Sequence, residues 1–198
     1  MRPIRMLVFL ASGLTLLGIL VACGDNNDSM TMSEPSESAS ENSAADVAFA
    51  QLMIQHHLQA VEMADMAIAN AESPQIVSLA QEIESGQEPE IQRMQAWLRD
   101  WGADEQMDDM SSSMQHDMGG MSSSGMMTAD ELLALSEAPK LEFDSMWLQM
   151  MIRHHQGAVT MAEEIRRTTS ESDVDSLANE VIAAQTAEIQ RMQDLLTR

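Results

Sequence analysis

The sequence predicts an all-α protein in which two repeated helical hairpins form a four-helix bundle. Three observations lead to this prediction. Apolar residues recur at the three- and four-residue spacing of amphipathic helices. Pro, Gly and capping residues separate the helical stretches. One residue pattern occurs twice at a constant offset of 98 residues, so that Asp46 has its counterpart at Asp144.

The first hairpin follows from local signals. Residues 47 to 68 have helical spacing. Ser73, followed by proline, is typical of an N-cap with proline at the first helical position, and it opens a second helix over about 74 to 101. Gly102 ends that helix, and Pro89 inside it predicts a kink.

The second hairpin is preceded by a short helix. A capping box begins at Thr128, and Pro139 ends the short helix that it opens. A third long helix is predicted over about 141 to 168 and a fourth over about 173 to 196. The two hairpins would pack face to face, joined by a crossover at 103 to 127. The bundle domain as a whole spans residues 46 to 198.

Residues 1 to 22 are typical of a lipoprotein signal peptide, with a short basic region, an apolar run and the sequence Leu-Val-Ala-Cys. Cys23, the only cysteine, would carry the lipid that contacts a membrane, which leaves no thiol for a disulfide or a metal. The alternative is an unmodified signal or a transmembrane anchor. Residues 23 to 45 are rich in Ser, Glu and Asn, and they predict a flexible tether.

The charge of the chain restricts its partners. The formal net charge is −22, and removing residues 1 to 22 takes away two of the ten basic residues and none of the 32 acidic ones. Such a charge opposes binding to nucleic acid or anionic lipid and attracts cations. It is typical of an extracytoplasmic bacterial protein on the periplasmic side or the cell surface.

Each copy of the repeat carries a His-His pair with Met one turn before it and two turns after it. The candidate metal ligands are Met53, His56, His57 and Met63 in the first copy and Met151, His154, His155 and Met161 in the second. The first His of each pair is predicted to face the bundle seam, and the second lies about 100° around the helix, towards a neighbouring helix or the edge of the seam. The alternative is that the Met pack and the His form a buried polar network.

The crossover is a second candidate metal site. Its ligands would be Met107, Met110, Met114, His116, Met118, Met121, Met126 and Met127, set among Ser, Gly and Asp. The crossover has no aliphatic residues, so we expect it to contribute nothing to the core and to be disordered without a ligand. Thioethers favour Cu(I) or Ag(I), whereas His116 and the Asp residues also suit Cu(II). The alternative is neutral low complexity.

Several enzyme classes are excluded by the motifs. A di-iron bundle needs Glu three residues before His, but Met53 and Met151 occupy those positions. His-Glu-x-x-His, Gly-x-Ser-x-Gly and phosphate-binding Gly loops do not occur in the sequence. We therefore predict a protein that is not an enzyme. The recurring pairs Glu90–Arg93 and Glu188–Arg191 predict solvated or inter-helix ion pairs.

The doubled Met-Ile-x-His-His core, with its Ala-Val-x-Met-Ala run and the later Glu-Ile-Gln-Arg-Met segments, resembles the domain of unknown function 305 family. The resemblance covers about residues 46 to 198. It implies a ferritin-like four-helix bundle in an extracytoplasmic protein, some of whose relatives bind copper. By position, it points to the same eight His and Met residues of the two copies.

These observations predict a lipid-anchored copper-binding protein that buffers or carries the metal in metal tolerance. Cu(I) is the favoured ion, and Ag(I) is possible. A protein that accepts the copper is a further expected partner. The first alternative is a structural or interaction domain that binds no metal, and the second is a copper-dependent redox enzyme.

Overall fold

A computed structural model describes residues 43 to 105 and 125 to 197, which form five α-helices and no strand. The helices are α1 (Ala44–Asn70), α2 (Pro74–Asp100), α3 (Ala129–Ser136), α4 (Lys140–Ile165) and α5 (Ser172–Leu196). The predicted all-α class is confirmed, and the long helices start and end within a few residues of their predicted bounds. No helix in this part of the chain is both long enough and apolar enough to cross a membrane. The predicted signal peptide, the lipid on Cys23 and most of the tether lie outside the described residues.

The helix ends follow their capping residues. The predicted capping box of α3 is present, because Thr128 accepts from the backbone of Glu131 and the Glu131 carboxylate accepts in return. Ser43 and Asp46 make an equivalent box at the start of α1. Helix α2 begins with proline and continues through Pro89.

The four long helices form a bundle in which neighbours run antiparallel. Short turns make α1 and α2 one hairpin and α4 and α5 the other, and α1 packs against α4. The direction of α4 follows from two contacts with α1. His56 stacks on His154, and Trp147 Nε1 donates to the Met63 carbonyl at 2.7 Å, so residue numbers rise along one helix as they fall along the other.

The two hairpins are related by a pseudo-twofold axis. The ion pair between Arg93 of α2 and Glu180 of α5 recurs, at the same 98-residue offset, between Glu82 of α2 and Arg191 of α5. A reciprocal pair of contacts of this kind arises only when the axis runs between the two helices. Since His56 and His154 are counterparts that touch, the axis also passes between them. We refer to these two residues as the axial histidines.

The apolar core is divided in two along the bundle. One cluster contains Met63, Trp147, Met151 and Met192, together with residues of α2 and α3. The other contains Phe49, Met53, Met94 and Met161, together with residues of α5. Polar residues are buried between these clusters, namely His56, His57, Gln87, His154, His155 and Gln185. We refer to these six residues as the central polar layer.

The end of the crossover is part of the core. Met127 is 5% exposed and belongs to the first apolar cluster. Its backbone is fixed by Gln59, which donates to the Met127 carbonyl at 2.9 Å and accepts from its N–H at 2.7 Å. The expectation that residues 103 to 127 contribute nothing to the core is therefore wrong at the last residue, and Ala103 at the other end packs against the second apolar cluster. The reason is tertiary, because Gln59 of α1 supplies hydrogen bonds that the local sequence does not reveal.

Gly125 allows the crossover to approach α4. Its φ is +82°, and a Cβ there would lie 2.2 Å from the Arg153 carbonyl oxygen. We expect Gly125→Ala to lower the free energy of unfolding by about 2 kcal/mol or more, because both the backbone and the contact become strained. Urea unfolding measures this change.

Gly86→Ala is the matched control for this substitution. Gly86 lies inside α2, where an added Cβ meets no atom within 4 Å. The control should stabilise the protein by roughly 0.5–1 kcal/mol through helix propensity. Equal unfolding midpoints for Gly125→Ala and the parent would contradict the packing described for the crossover.

Candidate metal centre

The axial histidines meet at the seam between α1 and α4. Their ring centroids are 3.7 Å apart, and the ring planes are inclined by 37°. His56 is 1% exposed and His154 is fully buried. The prediction that the first His of each pair points into one core layer is confirmed. Helical spacing places these residues on the buried stripe, and the antiparallel packing of two identical motifs brings the stripes together.

The second histidine of each pair contacts the other helix of its own hairpin. His57 Nε2 lies 2.7 Å from Glu90 Oε2, and His155 Nε2 lies 2.9 Å from Glu188 Oε2. Both imidazoles are buried, while the carboxylates remain partly exposed. The predicted orientation towards a neighbouring helix is confirmed. Each Glu fixes the orientation of the ring that it contacts.

The predicted inter-helix ion pairs are confirmed for the recurring Arg residues, whereas the recurring Glu residues contact histidines. Glu90 contacts His57, whereas Arg93 forms an inter-helix ion pair with Glu180. The contact between Glu and His was missed by the sequence reasoning. A signal was present, because Glu90 and Glu188 each follow the second His of their copy by 33 residues.

Burial keeps His154 neutral. Loss of hydration lowers the pKa of His154 well below its ordinary value, and the nearby imidazoles of His56, His155 and His57 lower it further. The backbone of His56 opposes this shift only in part. Neither ring nitrogen of His154 has a hydrogen-bond partner among the residues the structure describes. A neutral imidazole with a free lone pair is the form that binds metal ions.

Two glutamines of the central polar layer were missed by the sequence reasoning. Gln87 of α2 is 4% exposed, and Gln185 of α5 is 2% exposed. Within the described part of the chain, no partner is found for the oxygen or the nitrogen of either amide. The two residues are counterparts in the repeat, a signal that the sequence does contain. Buried amides usually bind protein groups, water or ions.

Of the eight methionine side chains buried in the described part of the chain, six are almost fully inaccessible and lie above and below the polar layer. Met53, Met63, Met151 and Met161 are at most 2% exposed, as the predicted stripe requires. Two further methionines, one from α2 and one from α5, were not singled out from sequence: Met94 and Met192. Each apolar cluster receives three of the six thioethers. Soft donors therefore flank the imidazoles on both sides.

Of the predicted crossover ligands, only Met126 and Met127 lie within the described residues. Met127 sulfur contacts the Arg153 guanidinium, which also pairs with Glu131 at 2.6 Å, so this thioether is held in packing. Met126 is half-buried beside it. The other predicted crossover ligands lie outside the described residues: Met107, Met110, Met114, His116, Met118 and Met121.

The donor set of the bundle is imidazole, thioether and amide. Across residues 43–105 and 125–197, no three His, Cys, Asp or Glu side chains are grouped as a metal site. A bundle site therefore needs Met or Gln donors beside the histidines. A metal ion bonded to one nitrogen of each axial histidine at about 2 Å would also separate the two rings.

Fold and site together define a duplicated four-helix bundle with a buried histidine layer between methionine-containing apolar ends. The family model of the domain of unknown function DUF305 matches residues 46–196, and the chain belongs to this family. The resemblance seen in the doubled motif is thereby confirmed. No curated protein shows significant similarity to the chain.

Solved structures of the family share the fold. A DUF305 fragment from Deinococcus radiodurans is 30% identical, with a TM-score of 0.69 over 79% of this chain and 98% of the fragment. A DUF305 protein from Streptomyces coelicolor, described as secreted on a provisional basis, is 30% identical, with a TM-score of 0.70 over 80% and 94%. CopM in a Cu(I)-bound form is 31% identical, with a TM-score of 0.61 over 77% and 95%. CopM has also been solved with Cu(II) and with Ag.

The low pKa of His154 makes the stability of the metal-free protein depend on pH. His154 has an ordinary pKa of 6.5 when unfolded and a lower pKa when folded, so the unfolded chain binds the proton first as pH falls. Stability from this group is complete above about pH 6.5 and declines by up to about 1.4 kcal/mol per pH unit below it. The decline is measured as the difference between the free energies of unfolding of the parent at pH 7.5 and at pH 5.5. We expect this difference to be smaller in His154→Asn. Identical pH slopes would show that His154 is not held neutral.

Proposed function

We propose that this protein is an extracytoplasmic copper-binding protein that holds Cu(I) and Ag(I) through imidazole and thioether ligands. The observation that carries the proposal is the neutral, buried His154 whose ring lies against that of His56, with at least three methionines in the apolar cluster on each side. Imidazole and thioether without thiolate are donors that suit copper better than Mg²⁺, Mn²⁺ or Ca²⁺.

The relatives support this metal. CopM, at 31% identity, has been solved with Cu(I), with Cu(II) and with silver, and it covers the same bundle. A bundle in which two His-His motifs share one seam gives this chain the residues for the same chemistry. The net charge of −22 adds an attraction for cations at long range.

A buffer or carrier accounts for these features better than an enzyme. The ordered donors are buried in the bundle, and catalysis would need a substrate site beside them. The methionines of residues 107 to 121 would collect Cu(I) at lower affinity and pass it on. A lipid on Cys23 would hold the protein at a bacterial membrane, where a copper-accepting protein would be its partner.

A structural role is the second candidate function. The contacts His57–Glu90 and His155–Glu188 favour it, because they satisfy one nitrogen of each second histidine without a metal. In that case the central polar layer would specify the pairing of the hairpins, and the family's metal binding would not extend to this chain.

Metal preference is the first test of the proposal. In competition with a Cu(I) chelator under reducing conditions and moderate salt, the purified protein should bind Cu(I) and Ag(I) more tightly than Zn²⁺ or Ca²⁺. Moderate salt removes the long-range attraction of the acidic surface. Tighter binding of Zn²⁺ than of Cu(I), or loss of Cu(I) binding on adding salt, would show that soft ligands are not responsible.

The two kinds of site can be separated by substitution. Replacing Met107, Met110, Met114, His116, Met118 and Met121 with Ser should reduce the number of Cu(I) ions bound. The free energy of unfolding should change by less than about 0.5 kcal/mol, because Met127 and the rest of the core are retained. Cu(I) stoichiometry and urea unfolding of the same variant measure both.

The four bundle histidines are tested in parallel. Replacing His56, His57, His154 and His155 with Ala should strongly reduce the rise in melting temperature that Cu(I) causes in the parent, since a ligand stabilises the folded state more when it binds that state more tightly. Calorimetry with and without Cu(I) measures the shift. An equal copper-induced shift in both proteins would favour the structural role of the histidines.

A further inference from the structure

Two buried glutamines occupy the helix pair opposite the axial histidines. Gln87 lies on α2 and Gln185 on α5, whereas the axial histidines lie on α1 and α4. Both amides are buried, and all four of their polar atoms are without partners among the described residues. An unpaired buried amide costs about 1–3 kcal/mol, so leucine at these positions would give a more stable bundle. The cost is present in both copies of the repeat.

The register of α2 and α5 places the two glutamines face to face. Along α2, Gln87 lies midway between Glu82 and Arg93, the two residues that pair with α5. Gln185 likewise lies midway between Glu180 and Arg191 along α5, because these two residues are the counterparts of Glu82 and Arg93. In antiparallel helices tied by two reciprocal ion pairs, the midpoints lie opposite each other. We refer to Gln87 and Gln185 as the axial glutamines.

The axial glutamines and the axial histidines share one axis. The pseudo-twofold axis relates each residue to its counterpart 98 positions later, so any two counterparts that face each other must straddle it. His56 and His154 do so between α1 and α4, and the glutamines do so between α2 and α5. The four side chains are therefore placed around the axis in the middle of the bundle, in the layer between the two apolar clusters.

The chemistry of this layer differs from that of its surroundings. The donors at the axis are the two axial imidazoles and two amide oxygens. The thioethers belong to the apolar clusters on either side of the layer. Nitrogen and oxygen donors suit Cu(II), which prefers tetragonal N,O coordination, whereas thioethers suit Cu(I).

We propose that the axial histidines and the axial glutamines form a Cu(II) site on the pseudo-twofold axis, with imidazole nitrogens and amide oxygens as ligands. The inference rests on the proposed copper-binding function and assigns an oxidation state to each part of it. Cu(II) binds to imidazole and amide in the central layer, whereas Cu(I) binds to thioethers together with imidazole. Metal binding separates the stacked imidazole rings and gives the axial glutamines the partner that they lack.

The test removes the amide oxygens and keeps the rest of the bundle. Gln87→Leu with Gln185→Leu is compared with Gln92→Leu and Gln190→Leu, a matched pair of exposed glutamines at counterpart positions on the same helices. The axial histidines are unchanged in both double variants. Both double variants are made in the full chain that already carries the serine substitutions in the crossover, so that His116 cannot bind Cu(II). This serine-substituted chain is the parent of the comparison.

Cu(II) binding should fall roughly 10- to 100-fold in the axial double variant, as measured by competition with a Cu(II) chelator. Cu(I) binding should stay within about twofold of the parent, and the exposed control should match the parent for both ions. Electron paramagnetic resonance of the bound Cu(II) should show nitrogen coupling in the parent and a changed spectrum in the axial variant. Metal-free stability should rise in that variant, because unpaired amides are removed.

A second variant covers the case in which leucine disturbs the fold. Gln87→Met with Gln185→Met keeps the length of both side chains and exchanges the amide for a thioether. Cu(II) binding should weaken in this variant while Cu(I) binding strengthens. Folding of both proteins is checked by urea unfolding before any metal is added.

The outcomes separate this inference from the proposed function. Unchanged Cu(II) affinity in either axial variant, or a parent that binds Cu(I) but not Cu(II), overturns the central Cu(II) site alone. A parent that binds neither oxidation state overturns the proposed function. Cu(II) binding that weakens in both axial variants but not in the exposed control, with Cu(I) binding retained in the leucine variant, supports both.

Discussion

The central constraint on this fold is a layer of polar side chains buried in the middle of the bundle. Six residues, four imidazoles and two amides, separate two apolar clusters that would otherwise form one continuous core. Buried polar groups destabilise a protein unless they find partners. The apolar ends must offset that cost, and they do so with large buried side chains such as Phe49, Trp147 and the six core methionines.

The duplication determines how this layer is assembled. Because each motif packs against its own copy, every contact across the seam occurs twice. A residue on the axis therefore lies against its own counterpart. His56 consequently lies against His154, and the α2 and α5 ion pairs occur as a reciprocal set. A single helical motif with one inward histidine thus yields a site with two imidazoles. Neither hairpin contains this site alone.

Electrostatics at the layer favour a metal over a proton. Burial and the neighbouring imidazoles lower the pKa of His154, so that protons do not compete for its nitrogens at neutral pH. The second histidines differ, since each has a Glu on the adjacent helix that fixes its ring. The layer therefore combines two imidazoles that Glu residues orient with two that lie against each other at the axis. This division between adjacent residues of the sequence follows from the 100° step of the helix.

Sequence by itself determined the helices, the two hairpins and the inward direction of His56 and His154. Local signals were sufficient for this, because helical periodicity and capping act over a few residues. Repetition made the prediction stronger, since the same stripe occurred twice. The sequence also showed the recurrence of Glu90 and Gln87, but periodicity does not state which helix a side chain will meet.

Only the tertiary structure decided the partners. The contact of His57 with Glu90, the burial of the axial glutamines and the anchoring of Met127 by Gln59 all depend on which helices become neighbours and at what register. The same sequence pattern would also be compatible with helices whose Gln-containing faces are exposed to solvent. Packing of long-range neighbours, which no local pattern encodes, placed these amides on the axis and the end of the methionine-rich crossover in the core.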